Sequence, residues 1–425
     1  MSPAGGQQTS PDNLVEHATC LGCGCTCDDI AVHLDAGRIV AATNACELGV
    51  RWFGDGAVPA TIHVDGRESA LADALTAIVD TFAAAREPLV YLAPEISCEA
   101  QREGIALADR LRATLDTISS ATALTSILAA QERGRTGATL GEIRNRADVI
   151  VFWGVDPLAR YPRYWSRYAP EPEGLYVGGN GEQRRVIAVD VGDARGPADV
   201  STRIAIGEGD EVALLTAATA LIRKPGTQVD QALAEPARQL AALLSTAQYV
   251  AIVADGEPPS AVADAPHARS RDPLRAAGLI ALAQALNGPT RCALSTLRGG
   301  GNRSGAEAVL TAHTGYPTGV SFAAGYPHYQ PESASEGADT VLIIGDASHL
   351  PGEVIARFTA GRLAIIGPRA SNHPAAVVID TGVAGIHVNG TVVRMDDVPL
   401  RVRPSVHRGL DPAEVVRALR ERLAQ

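Results

Sequence analysis

The strongest pattern in the chain is a recurring short run of uninterrupted apolar residues. DVIVFWG (148–154), RVIAVD (185–190), YVAIVA (249–254), TVLIIG (340–345), RLAIIG (362–367) and VVID (377–380) are all rich in Val and Ile, and helix- or loop-length segments separate them. A strand with one solvated face alternates apolar and polar positions. A run that is apolar at every position is buried on both faces, so these runs predict parallel strands with helices on either side. Between 69 and 113 the pattern switches from helical spacing (SALADALTAIVDTFAAA) to a strand (PLVYLA) and back to helix (CEAQREGIALADRLRA). That alternation predicts an α/β class with doubly wound sheets. Several runs end in Gly or Asp, at Gly154, Asp190, Gly345 and Gly367. Ligand crevices of doubly wound sheets open at such carboxyl ends, although a Gly after a strand also serves as plain turn chemistry.

Before residue 56 the pattern is different. DDIAVHLD and RIVAATN alternate as half-buried strands do, which predicts a small β-rich module around a cluster of cysteines. The far end carries IHVNGTVVRM, whose Asn389-Gly390 predicts a hairpin turn, and then a helix AEVVRALRERLA with Asp411 as its N-cap. The resulting organisation is a cysteine-rich module over 1–56, a discontinuous α/β domain over 57–145 and 320–382, an inserted Rossmann-like domain over 146–319, and a hairpin and helix over 383–425. Two Gly- and Tyr-rich loops, RGGGNRSG (298–305) and GYPTGVSFAAGYPHYQPE (315–332), read as binding or subunit-contact surface.

At 425 residues, 46% of them apolar and 20% charged, the chain has the composition of a globular protein of two or three domains. A net charge of -11 argues against nucleic acid or an anionic membrane as partner. The first nineteen residues have neither a basic start nor an apolar run, and no apolar stretch is long enough to span a bilayer. A cytoplasmic protein is expected.

Five of the seven cysteines lie between Cys20 and Cys46. Cys20, Cys23, Cys27 and Cys46 form C-x2-C-x3-C with a fourth Cys further on, a set able to surround a [4Fe-4S] cluster. Zinc more often uses two separated C-x2-C knuckles. The spacing leaves three readings: an iron-sulfur cluster, a structural zinc, and reduced thiols that hold nothing.

CLGCGCTCDDI followed by NACELG resembles the N-terminus of the B subunits of formylmethanofuran dehydrogenases, short relatives of the molybdopterin formate dehydrogenases. The likeness continues through GEIRNRADVIVFWGVDPLARYPRYWSR (141–167), LRGGGNRSGAE and GTVVRMDDVPLR. It implies a molybdopterin-oxidoreductase fold, with a [4Fe-4S] cluster on the four cysteines that feeds a molybdenum or tungsten ion held by two pterins and one protein thiolate or selenolate. Counting back without gaps from Gly141-Glu142, the position of that ligand is Thr122, and the His that follows it in the family is Ala123. No cysteine lies between Cys98 and Cys292. A hydroxyl is a poor ligand for a soft metal. Gly154, Asp156 and Asp190 stand where a pterin pocket would be, but DVGDARG (190–196) lacks the family's Asp-Pro-Arg turn. A molybdenum or tungsten bis-pterin is therefore not expected, and no catalytic residue is assigned.

The remaining polar candidates read as structural. Cys98 follows a strand and is expected to cap or pack the next helix. His313 and His328, near Tyr316, Tyr326 and Tyr329, have no carboxylate in sequence to orient them and read as loop packing or subunit contact. Arg160, Arg163 and Arg167 alternate with aromatics, as interface residues often do. Three functions stay open. The favoured one is a scaffold subunit of a formyltransferase/hydrolase complex in tetrahydromethanopterin- and methanofuran-linked formaldehyde oxidation, whose partners would be amidohydrolase-like, formyltransferase and C-type subunits. The others are an active dehydrogenase with an unusual metal ligand, and an electron-transfer subunit that uses the cluster alone.

Overall fold

The computed structural model describes residues 13–169, 177, 184–257, 271–331, 337–350, 355 and 362–423. It is a mixed α/β structure with several sheets, in two compact units. The first comprises 1–120, 300–394 and 399–425, and the second 121–299 and 395–398. Part of the 315–332 loop and the last residues of the chain fall outside the described residues.

In the first unit, a nine-stranded sheet has five parallel strands at its centre. Their order is Thr114–Thr117, Pro88–Leu92, Thr340–Ile344, Leu363–Gly367 and Val377–Asp380. Short antiparallel strands extend both sides. Alternate residues of each run enter separate cores: Val90, Leu92, Leu342 and Ile344 pack on one side, and Leu89, Tyr91, Val341 and Ile343 on the other. The apolar runs are continuous because both faces are covered. Residues 13–56 belong to this unit, where Leu14–Ala18, Ile30–Asp35 and Arg38–Thr43 form a three-stranded antiparallel sheet. The last two strands meet at Ala36-Gly37, both at positive φ (46° and 73°), which suits a two-residue hairpin.

The second unit has a five-stranded parallel sheet in the order Thr202–Ile206, Arg185–Val191, Val149–Trp153, Tyr249–Asp255 and Arg291–Leu297. The chain runs outward from the Val149–Trp153 strand on one side and then crosses to the other. The switch point lies between Val149–Trp153 and Tyr249–Asp255, where doubly wound sheets place their ligands.

Two details depart from the sequence reading. The units divide at 120/121 and 299/300, not at 145/146 and 319/320. The reason is packing: the Leu124–Arg133 helix sends Ala129 into the second unit's core, and Arg303–Thr314 sends Ala306, Val309 and Leu310 into the first unit's core. Asn389-Gly390 does not turn a hairpin. Gly390 opens a strand that pairs with Pro399–Val402. The residues before it instead form a turn, in which the amides of Ile386, His387 and Val388 all donate to the Val383 carbonyl. The C-terminal helix is as read, with Asp411 accepting from the Ala413 amide at 2.8 Å. Among the described residues, no helix is long and apolar enough to cross a membrane.

A buried ion pair ties the second unit's helices to its sheet. Glu211 accepts from Arg275 Nε at 2.9 Å and from Trp153 Nε1 at 2.8 Å, with both charged side chains almost wholly buried. Arg275→Ala removes a guanidinium from the buried Glu211 carboxylate, and denaturant melts should show a loss of about 3–5 kcal/mol. Replacing Glu211 as well, with both positions made Met, should recover most of that loss. Equal destabilisation by the single and double variants would contradict this account.

Candidate functional site

The cysteine loop connects the first two strands of the N-terminal sheet. Its mouth is closed by the Cys20 amide donating to the Cys27 carbonyl at 2.8 Å, and inside it the Thr26 amide donates to the Cys23 carbonyl at 3.2 Å. Cys46 precedes the Glu47–Phe53 helix. Burial pushes the Cys20 thiol well above its ordinary value, and negative charge on Cys23, Cys27 and Cys46 raises it further. Cys20 thus lies within electrostatic reach of the other three candidate ligands, although no three of the four sulfurs lie within 4.8 Å of one another. Glycines make room around the Cys20 sulfur, because a Cβ at Gly22 or Gly49 would lie 3.4 or 3.3 Å from it. Glycine at both positions beside the Cys20 sulfur suits a bulky thiolate-bound group. All seven cysteines are thiols.

Gly154 and Asp190 lie at the carboxyl ends of adjacent strands, where Trp153 pairs with Val189. Gly154 has φ 56° and donates to the Val189 carbonyl at 2.7 Å. Asp156 accepts from the Leu158 amide at 2.9 Å in the next turn. Asp190 is buried and fully engaged: it accepts from the Gly196 amide at 2.8 Å, from Arg203 at 2.7 Å and from Arg195 at 3.2 Å. Burial would raise its pKa, but these donors outweigh burial and hold the carboxyl below its usual range. The turn lacks the family's Asp-Pro-Arg pattern, and the two guanidiniums that reach it, of Arg195 and Arg203, are both paired with Asp190.

These three residues stand beside the switch point rather than in it. The switch point itself is occupied by the chain's own ion pairs. Arg160 donates to Asp255 at 2.9 Å and to the Glu257 carbonyl at 3.1 Å, and Arg298 donates to the buried Glu257 side chain at 2.6 Å. Arg160 reads from the sequence as interface-like, and its contact here is internal. Thr122 is buried at the end of the short Ile118–Thr122 helix.

Sequence reasoning missed one constellation at the first unit's switch point. Glu95 follows the Pro88–Leu92 strand, Asp346 follows Thr340–Ile344, and Arg369 follows Leu363–Gly367. Arg369 binds both buried carboxylates, at 2.5 Å to Glu95 and closely to Asp346. His349 Nε2 lies 3.1 Å from Glu95 and 3.7 Å from Asp346. Among the described residues, Glu95, Asp346 and His349 are the group of three potential metal ligands whose ligand atoms lie within 4.8 Å of one another. Arg369 already holds the cationic position between the two carboxylates. The sequence signal was available: each of the three charged residues that meet here follows an apolar run by two or three positions.

Cys98 is buried at the start of the Cys98–Leu111 helix, whose cap is Ser97, and it packs 3.6 Å from the Asn302 side-chain nitrogen. His313 Nδ1 lies 2.8 Å from the Val309 carbonyl on its own helix. Tyr316 stacks on Tyr329 with ring centroids 5.1 Å apart, and His328 sits exposed on the edge strand. These are packing roles.

No protein-family model matches the chain. It is 30% identical over 432 residues to the B subunit of the tungsten-containing formylmethanofuran dehydrogenase 2 of Methanocaldococcus jannaschii, covering 96% of both chains. It is likewise 30% identical over 442 residues to that of Methanococcus maripaludis, covering 96% of this chain and 98% of the relative. The chain belongs to the family of formylmethanofuran dehydrogenase B subunits. A chain in the crystal structure of the formyltransferase/hydrolase complex from Methylorubrum extorquens, solved with methylofuran, shares the fold. Its TM-score is 0.67 at 22% identity, over 86% of this chain and 99% of that one.

The His349 cluster makes stability depend on pH. Burial would lower the His349 pKa, but Glu95 and Asp346 outweigh burial and raise it above its ordinary 6.5. Its contribution is therefore fully present below pH 6.5 and is lost as pH rises through the raised folded value. His387 is held below 6.5, first by burial and then by Arg369 and Arg408, and so acts only on the acid side. The melting temperature should fall as pH increases above 6.5, and His349→Gln should flatten that limb. An unchanged slope in the variant would reject the assignment.

Proposed function

We propose that this chain is the B-type subunit of a multisubunit formyltransferase/hydrolase complex in methanofuran- and tetrahydromethanopterin-linked one-carbon metabolism, on a molybdopterin-oxidoreductase scaffold whose metal-pterin site has degenerated. The observation that carries this reading is Thr122 at the metal-ligand position, in a chain with no cysteine between Cys98 and Cys292. A Thr hydroxyl keeps its proton at neutral pH and does not substitute for a thiolate on a soft metal. The relatives named above supply the family and its tungsten-containing members. The structural neighbour is a complex whose named activities are formyl transfer and hydrolysis.

The second unit's switch point supports the same reading. Arg160 and Arg298 are already committed to Asp255 and Glu257 at the strand ends there. Arg195 and Arg203 are likewise committed to Asp190. Guanidiniums spent on internal carboxylates are poor recruits for a phosphate.

Cys20, Cys23, Cys27 and Cys46 hold a [4Fe-4S] cluster in this proposal, which carries single electrons when bound. With no thiolate to place a molybdenum or tungsten ion, the chain's own residues hold the cluster as part of the fold and present assembly surface. Amidohydrolase-like, formyltransferase and C-type partners carry the chemistry, and the complex works in the cytoplasm.

Thr122→Ala in the assembled complex is expected to leave formyl transfer and hydrolysis nearly unchanged. Anaerobic metal analysis should find about four iron atoms per chain. Stoichiometric tungsten or molybdenum with pterin, or formate oxidation that disappears in the variant, would make this an active dehydrogenase component instead.

A further inference from the structure

The Gly300–Asn302 segment crosses the first unit from the cysteine loop to the central sheet, and each of its residues is fixed differently. Gly300 lies against the cysteine loop. A Cβ there would run into the Leu21 carbonyl oxygen and come within 2.8 Å of both the nitrogen and the Cα of Cys23. Gly301, at φ 70°, donates to the Leu21 carbonyl at 2.9 Å and accepts from the Glu95 amide at 2.7 Å. Its own missing Cβ faces elsewhere, 2.6 Å from Pro94 Cβ. Asn302 is buried in a left-handed conformation, φ 63°. Its side chain donates to the Ile96 carbonyl at 2.8 Å and accepts from the Val393 amide at 2.8 Å, while its carbonyl accepts from Gln101 at 3.1 Å. The far end of the strap is therefore locked into the core.

We propose that this strap is the second wall of the cysteine site, and that Gly300 is the positioning residue that sets where Cys23 lies relative to Cys20, Cys27 and Cys46. The inference rests on the cluster reading above and deepens it. The first wall comes from local sequence: the Cys20–Cys27 loop itself, and the helix after Cys46 against Gly22, where a Cβ would meet the Leu48 carbonyl at 3.1 Å. Cys23 is also met by the Gly300 backbone, from a distant part of the sequence. Peptide-to-peptide contact of this kind leaves no room for adjustment, because there is no flexible side chain to move aside. Outer supports of metal ligands commonly change metal retention by about 10–100-fold without touching the metal.

The test compares Gly300→Ala with Gly301→Ala in the full chain, reconstituted anaerobically with ferrous iron and sulfide. Iron per chain, the visible absorbance of the cluster and the metal-free melting temperature are read for each. Both variants disturb the strap, but only the first adds an atom against Cys23. Gly300→Ala is expected to retain iron at least about tenfold more weakly under chelator challenge, while Gly301→Ala loses melting temperature with little loss of iron. Iron retention that merely follows melting temperature across the two variants, or undiminished loading of Gly300→Ala, would overturn the strap inference alone. A wild-type chain that takes up no iron would remove the cluster reading, and the inference with it.

Discussion

Burial of both faces of every central parallel strand is the constraint from which the rest of this structure follows. In the first unit the residues of the Pro88–Leu92 run divide between two cores, and its neighbours divide the same way. No side chain of such a strand is free for chemistry, so polar function is pushed to the carboxyl ends, where the chain leaves the sheet. The strand ends are also crowded. A Cβ at Gly345 would lie 2.7 Å from the Ala93 carbonyl carbon, and one at Gly367 would lie 2.9 Å from Gly345 Cα. The glycines that end the apolar runs are there because backbones meet, as turn chemistry alone would not require.

That constraint explains which parts of the fold were legible. A buried parallel strand needs apolar residues at every position, so Val149–Trp153, Arg185–Val191, Tyr249–Asp255 and the three C-terminal runs stand out without reference to their neighbours. Partnerships are different. The Asn389-Gly390 dipeptide carries a hairpin signal, yet the residues before it are held by His387, whose ring accepts from the Val383 amide at 3.1 Å and contacts the Gly56 carbonyl at 3.0 Å. Gly56 is remote in sequence, and a two-residue turn rule has no access to it. Unit boundaries were displaced for a similar reason, because a helix joins whichever core its apolar stripe reaches.

The candidate chemistry divides in the same way. The cysteine spacing is local and could be read as a ligand set, while its third-party support through Gly300 is a backbone contact with no signature beyond a run of glycines. The Glu95, Asp346, His349 and Arg369 group is assembled from three strand ends, and its members look unremarkable one at a time. Thr122 was legible only through resemblance. By composition it is an ordinary buried Thr, and its meaning comes from what related chains carry there.

Both switch points carry carboxylate-guanidinium groups, and burial explains why the charges there come paired. The carboxyl end of a buried sheet gathers backbone amides and charged side chains in a partly desolvated place. Leaving one such charge buried and unpaired costs several kcal/mol, whereas a complete pair roughly breaks even. The stable outcome is to pair every guanidinium with a carboxylate of the same chain, as Arg160 does with Asp255, Arg298 with Glu257, and Arg369 with Glu95 and Asp346. The cysteine loop is built on the opposite principle. Burial makes ionisation of the Cys20 thiol costly, and negative charge on Cys23, Cys27 and Cys46 adds to that cost, which a bound cation would offset. At the strand ends the chain's own guanidiniums supply the balancing positive charge, while at Cys20 burial favours the neutral thiol.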